Sequence, residues 1–355
     1  MIAEQRHINL HLPQSWSQCT TEELEHIAAA IVSEQANIGR YRPFNWERVK
    51  LNSVLSINEI TVREEGRGMR EDGSGLMVQG SGFHQTSDIS PQTSDIESSW
   101  MVQRPDDKEP WPISTGQLCS LCEMLNWIDD EKASKVIFQF PYPELTLVHG
   151  SGFRVKGSKS LTINREPLTV MGPPPLLDGY IWQEYRWLTD WMQEYMRLAN
   201  AMAQSKREDV RRKNAAAAAQ AQREFLAILF KPAGKPTGGA AAEHTSSLFP
   251  LTSDIFTDFS PVKWQVILFW WSSLMWQLAK KFPRVFKSQP VGKGKRQQRP
   301  DTPWDFYNRV TATIQKYIGG LSAKDVDQQP YGVVLQQLEM MADEAAELEK
   351  MKRKK

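Results

Sequence analysis

Apolar positions along this chain follow two periods, two residues and about 3.6, and one stretch is almost wholly apolar. His7 to Leu12 alternates (HINLHL), which predicts a short strand. Thr20-Thr-Glu-Glu23 has the spacing of a capping box. It predicts a helix to about Gln35 with Leu24, Ile27, Ala28 and Ile31 on one face. A helical or extended piece follows over Val49 to Ile60. Ser114-Thr-Gly-Gln117 caps the next helix, which carries Leu118, Leu121, Cys122 and Leu125 at helical spacing. Val136 to Phe140 and Thr146 to Val148 read as strands and Ser160 to Ile163 alternates, so a small sheet or hairpin is expected there.

Pro173-Pro174-Pro175 is a stiff break and marks a domain boundary. Beyond it Ile181, Tyr185, Leu188, Met192, Tyr195, Ala199 and Met202 step by four and three, a heptad-like spacing. Trp187, Trp191 and Leu198 widen that stripe, as suits a helix packed in a globular bundle. A second helix begins at Ala215 to Ala219 and ends at Phe230, before Lys231-Pro232. Ser260-Pro261 introduces a Trp-rich helix that stops near Pro283. Thr302-Pro-Trp-Asp305 and Gly319-Gly320 bracket another. The last helix sets Tyr331, Val334, Leu335, Leu338, Met341, Ala345 and Leu348 on one face.

The predicted fold class is α+β and predominantly α-helical: a small N-terminal α/β part (1–170) with a flexible insertion at 63–110, then a helical bundle (174–350) with linkers at 231–247 and 287–301. The insertion is expected because Gly, Ser, Asp and Arg dominate it and too little apolar area is available to offset ordering. It also holds a tandem unit, Gln85 to Pro91 and then Gln92 to Ile96, read as duplicated loop sequence. GSG occurs at Gly73 to Gly75 and Gly80 to Gly82, and Gly150-Ser-Gly-Phe153 echoes Gly80-Ser-Gly-Phe83.

Composition narrows the function classes. The formal net charge of +1 gives no whole-protein field toward nucleic acid or an anionic surface. Three cysteines, an odd number, argue against a secreted disulfide framework. The first residues lack a basic region followed by an apolar one, so no signal peptide is expected and the compartment is read as cytoplasmic.

Chemical motifs are sparse. Cys119-Ser-Leu-Cys122 has CxxC spacing, but a zinc site needs four ligands and no second pair follows; Cys122 shares an apolar face and reads as core. His7 and His11 share one face of a strand and supply only two ligands. No phosphate-binding glycine loop, HExxH or nucleophile elbow occurs. The expectation is a non-enzyme without cofactor, metal or small-molecule substrate. Lys287, Lys293, Lys295, Arg296 and Arg299 form one basic run, and Lys350 and Lys352 to Lys355 another. They allow an alternative reading as a nucleic-acid-associated adaptor, against the simpler reading of solvated segments.

The apolar block is Val262 to Phe286. Only Val266 to Trp271 is unbroken, Ser272 and Ser273 interrupt the block, and Gln265 and Gln277 flank its core. A membrane span needs about 20 mostly apolar residues, so burial or partner contact is the better reading, with a peripheral membrane role as an alternative. The candidate partner-binding residues are Trp187, Trp191, Trp270, Trp271 and Trp276, each of which core packing would also explain.

Three segments carry a family resemblance. Leu12-Pro-Gln-Ser-Trp-Ser-Gln-Cys-Thr-Thr-Glu-Glu-Leu24 resembles an N-terminal LPxSWxxLTxxQL signature. Trp270 to Phe286 is similar to a late helix ending in FPxxF. Ile314 to Leu348 is similar to a closing segment with Gly-Gly, a capped turn and LxxLxxxAxEAEELEK. Together they resemble prophage proteins encoded among the tail genes of tailed phages, a tail-assembly chaperone-like family. Cys19 stands where Leu is usual, and the 63–110 insertion is extra. The resemblance implies a non-enzymatic chaperone or adaptor for the tape-measure or tail-tube protein, in the host cytoplasm, with homo-oligomerisation open and no catalytic residues to carry over.

Overall fold

The computed structural model describes residues 10, 12–37, 44–64, 99–105, 110–129, 137, 139–147, 168–232, 251–286, 303–319 and 322–353. Helix predominates among them, with a few short strands in two small sheets, so the chain is a predominantly α-helical α+β protein. Two compact units form, one from Met1–Lys135 with Pro261–Val266 and one from Val136–Ser260 with Ile267–Lys355. The expected strand at 7–12, the tandem unit, the Ser160 to Ile163 alternation and the basic stretch 287–299 lie outside the described residues, save Leu10 and Leu12.

In the first unit, α1 (Thr21–Asn37) opens on the expected box. The Thr20 N–H donates to Glu23 at 2.7 Å and the Glu23 N–H to the Thr20 hydroxyl at 3.2 Å, so two end donors are satisfied reciprocally. Asn45 caps α2 (Trp46–Ile57) by accepting from the Glu47 and Arg48 N–H groups. β1 (Thr61–Glu64), β2 (Ser99–Gln103) and β3 (Trp111–Ser114) form an antiparallel meander. β2 lies inside the stretch read as insertion. Its alternation explains why: Val102 is buried and Trp100 packs half-buried against the same cluster as Leu51, Leu55, Ile60, Ile113 and Cys122. Ser114 then caps α3 (Thr115–Glu123) in a reciprocal box with Gln117.

Ion pairs join α1 to α2 and α2 to the turn after α3. Glu34, buried, accepts from the Arg48 guanidinium at 2.6 Å and from the Asn45 N–H at 3.2 Å. Lys50, also buried, donates to Glu47 (3.1 Å), Asn126 (3.1 Å) and Asp129 (3.0 Å). Three ammonium protons meet three acceptors, which is what burial of this group demands.

The second unit begins with Ile137 and a sheet of β4 (Glu144–Leu147), β5 (Leu168–Met171) and β6 (Lys231–Pro232). Pairing of β5 with β6 puts the sheet in the helical unit, so the units divide near residue 135 where the sequence suggests the Pro173 break. The expected strand at 136–140 does not form at Ile137 or at 139–140. Its backbone has another partner: the Ile137 N–H donates to the Ser273 hydroxyl at 2.7 Å, and that hydroxyl donates to the Ile137 carbonyl at 3.2 Å. A helix serine stands where a neighbouring strand would.

α4 (Trp182–Gln204) and α5 (Glu208–Leu229) pack as a hairpin over a three-residue joint. α5 starts seven residues before the alanine run, because Glu208 and Asp209 suit a helix N-terminus. Phe225 to Phe230 are all buried, so this helix end is covered on every side. Beyond α6 (Pro261–Lys281) come α7 (Pro303–Ile318), α8 (Ala323–Asp327) and α9 (Tyr331–Arg353). α8, which the apolar pattern does not predict, opens on a Ser322–Asp325 box.

Gly172 follows β5, and its N–H donates to the Pro143 carbonyl at 2.9 Å. A Cβ here would sit 2.4 Å from the Tyr142 carbonyl oxygen and 2.5 Å from the Phe140 ring. Neither can be entered without moving backbone or a packed aromatic. Gly172→Ala should therefore lower stability by roughly 1–3 kcal/mol, the usual range for overpacking. Chemical denaturation measures it, and an unchanged midpoint would mean the loop yields freely.

Candidate interaction surface

The five indoles singled out in the sequence fall into different environments. Trp270 and Trp271 belong to the core of the second unit. Trp270 meets Phe140 edge-on at 4.7 Å, and Phe140 meets Phe230 at 5.6 Å. Trp271 meets Phe225 edge-on at 5.1 Å, and Phe230 stacks on Phe256 at 5.7 Å. Such pairs add about 0.5–1.5 kcal/mol beyond area burial. Trp187 and Trp191 on α4 are half-buried. Trp276 on α6 is 48% exposed, with the Lys280 ammonium 5.2 Å from its ring centre. About one and a half turns of helix separate a ring locked in the core from a ring presented to solvent.

Ser273 explains how a greasy helix tolerates a polar interruption. It is fully buried. Its hydroxyl serves both backbone groups of Ile137 and accepts from Gln277 at 3.3 Å. Ser272, by contrast, faces solvent and bonds the Leu268 carbonyl at 2.9 Å.

α4 also carries a polar face that the apolar spacing did not disclose. Buried Arg186 donates to Asp327 at 2.7 Å. One turn on, the Asp190 Oδ1 is buried without a hydrogen-bond partner among the described residues. Burial pushes the Asp190 carboxyl up to about 6, against the pull of the Arg186 guanidinium. Near the start of α4, Glu184 accepts from the Ile181 N–H at 3.1 Å and pairs with Lys231, whose ammonium lies 4.8 Å from the Tyr180 ring centre. Trp182 stacks on Tyr185 at 5.7 Å and Tyr185 on Tyr331 at 4.9 Å. The Tyr331 hydroxyl donates to the Leu176 carbonyl, which holds Leu176 and Leu177 at φ 52° and 54°. Left-handed backbone at two consecutive leucines costs on the order of 1–2 kcal/mol each.

Two of the three thiols are described, and both are at least partly buried. Burial, then the Glu23 charge, pushes the Cys19 thiol up to about 12. Cys122 is buried and donates to the Glu47 carbonyl at 3.5 Å; the Cys119 side chain lies outside the described residues, as do His7 and His11. His26 bonds the Ser56 hydroxyl at 2.6 Å. Among the described residues no three metal-binding side chains gather, and no helix is long and apolar enough to cross a membrane.

Two variants test this picture. Ser273→Ala strips Ile137 of both partners and should cost about 1–3 kcal/mol in denaturant unfolding; a neutral change would mean water replaces the hydroxyl. For Asp190, the folded protein keeps a proton between about pH 4 and pH 6 that an unfolded aspartate releases. The carboxyl therefore opposes folding progressively as pH rises through that window, and the penalty persists above it. Asp190→Asn should raise the melting temperature at about pH 7.5 and leave it nearly unchanged at about pH 4.5; a pH-independent difference would count against the assignment. Set beside known protein families, characterised proteins and solved structures, the chain matches none.

Proposed function

We propose that this protein is a non-enzymatic interaction protein of phage tail assembly, a chaperone or adaptor that covers apolar helical stretches of a tape-measure or tail-tube protein. The observation that carries the binding role is Trp276. The other described indoles of its helix, Trp264, Trp270 and Trp271, are buried, while its own ring is 48% exposed. An exposed indole braced by a lysine is the residue type most enriched at interface hot spots, since it gains apolar contact at little cost in side-chain freedom. Trp187 and Trp191 are half-buried on α4 and are further contacts on this reading. Trp270 and Trp271 support it from beneath, by fixing the helix that displays Trp276. The tail-assembly context comes from the resemblance of Leu12 to Leu24, Trp270 to Phe286 and Ile314 to Leu348 to that family.

The test is co-expression with tape-measure and tail-tube proteins, followed by calorimetry on the purified pair. A stoichiometric complex is expected, and Trp276→Ala should weaken it by about 2 kcal/mol, roughly thirtyfold in Kd, without altering the fold. No complex with either protein, or a complex indifferent to Trp276, would refute the proposal.

A further inference from the structure

A basic surface lies at the end of the α4–α5 hairpin. Leu198 is the last buried residue of α4 and Ala218 the first of α5, so the turns between them stand clear of the core. The joint has a fixed shape. The Arg207 N–H donates to the Ser205 hydroxyl at 3.2 Å, and that hydroxyl donates to the Arg207 carbonyl at 3.3 Å. Between Glu194 and Lys213 six cations, Arg197, Lys206, Arg207, Arg211, Arg212 and Lys213, stand against three acids. That is a net of +3 in a chain whose total is +1, so the remainder sums to −2.

The acids do not cancel this charge. Arg197 pairs with Glu194 and Arg207 with Asp209, each at 2.6 Å. Glu208 is shared by Arg211 at 2.6 Å and Arg212 at 3.3 Å. All of these side chains are exposed, where such pairs are weak and readily exchanged for another anion. Lys206 and Lys213 are exposed and pair with no acid among the described residues. The placement also works against the helix. Arg207 is the N-cap of α5 and Arg211 closes its first turn, with Arg212 and Lys213 next. A helix N-terminus is the positive pole of the helix dipole, which favours acids and disfavours cations. Basic residues gathered there do not serve the fold, and a local rule broken without a structural gain marks function.

The same surface narrows the ligand. A protein partner needs an apolar centre from which water is excluded. This end offers none, since no large apolar side chain is exposed between Arg197 and Ala217. One turn beyond Arg211, Arg212 and Lys213 stand Ala215, Ala216 and Ala217, all exposed. Long cations beside a flat alanine floor let a polyanion with its charges strung along a backbone come close. A duplex presents the densest such row, one charge per about 1.7 Å of axis. We propose that the end of the α4–α5 hairpin binds double-stranded nucleic acid through its phosphates, without regard to base sequence. Two packed helices are nearly twice as wide as the single helix that a major groove of about 12 Å admits. The cations therefore meet phosphates rather than base edges. This surface is separate from Trp276 and does not depend on the tail-assembly reading.

Fluorescence anisotropy of labelled DNA and RNA duplexes, titrated with the full chain, tests it. Binding should be micromolar at about 50 mM salt, with log K falling against log salt at a slope of about −3, roughly fortyfold by about 200 mM. Two duplexes of unrelated sequence should bind alike. Lys206→Gln with Lys213→Gln removes the two cations that have no acid beside them, so the melting temperature should not fall. That variant should bind at least about tenfold more weakly, with the slope reduced by about 2. Lys293→Gln with Lys295→Gln, in the other basic run, should change neither quantity. Absence of binding to either duplex at about 100 µM protein and about 50 mM salt overturns the proposal. So does binding that survives Lys206→Gln with Lys213→Gln, or that follows Lys293 and Lys295 instead. A poly-glutamate chain that competes as well as unlabelled DNA would assign the surface to an acidic protein and overturn it too.

Discussion

The second unit depends on one close approach. Gly172 lets the chain after β5 lie against Phe140 and the Tyr142 carbonyl, where a methyl group would overlap both. Phe140 thereby reaches Phe230 and Trp270, and through Phe230 the contact passes to Phe256. Segments distant in sequence meet on this one ring: an irregular strand-like piece, the end of α5 and the middle of α6. Aromatic packing of this kind is favourable in total but exacting in shape, because dense cores tolerate added volume poorly. The helix that displays Trp276 takes its position from this cluster.

Three buried polar side chains of the second unit show two courses, a defined partner or a shifted protonation. Ser273 takes the first course with Ile137, and Arg186 does so with Asp327. Asp190 takes the second, holding a proton well above the ordinary carboxylate range. The difference follows from geometry. Arg186 spends a short bond on Asp327, and what remains of its field at Asp190 is weaker than the desolvation there.

Local chemistry was the most legible part of the sequence. The boxes at Thr20–Glu23 and Ser114–Gln117 and the Ser260-Pro261 start each placed a helix end to within a residue, because capping is decided by neighbours in the chain. Ile137 is not in a strand because its backbone partner, Ser273, lies far along the sequence. β2 was hidden by the polar stretch around it, although Trp100 and Val102 carried the alternation. Of the interaction surface, only the residue types could be read. Trp270, Trp271 and Trp276 are chemically identical, and which ring is covered depends on Phe140 and Phe225, which no helical period reports.

Lys50 has a consequence of its own. An ammonium whose three protons are all engaged, by Glu47, Asn126 and Asp129, has no lone pair to offer an acylating reagent. It becomes nucleophilic only when α2 separates from the turn at Asn126 to Asp129. The labelling rate of this single amine is thus a clock for local opening of the first unit, readable by mass spectrometry without any engineered probe.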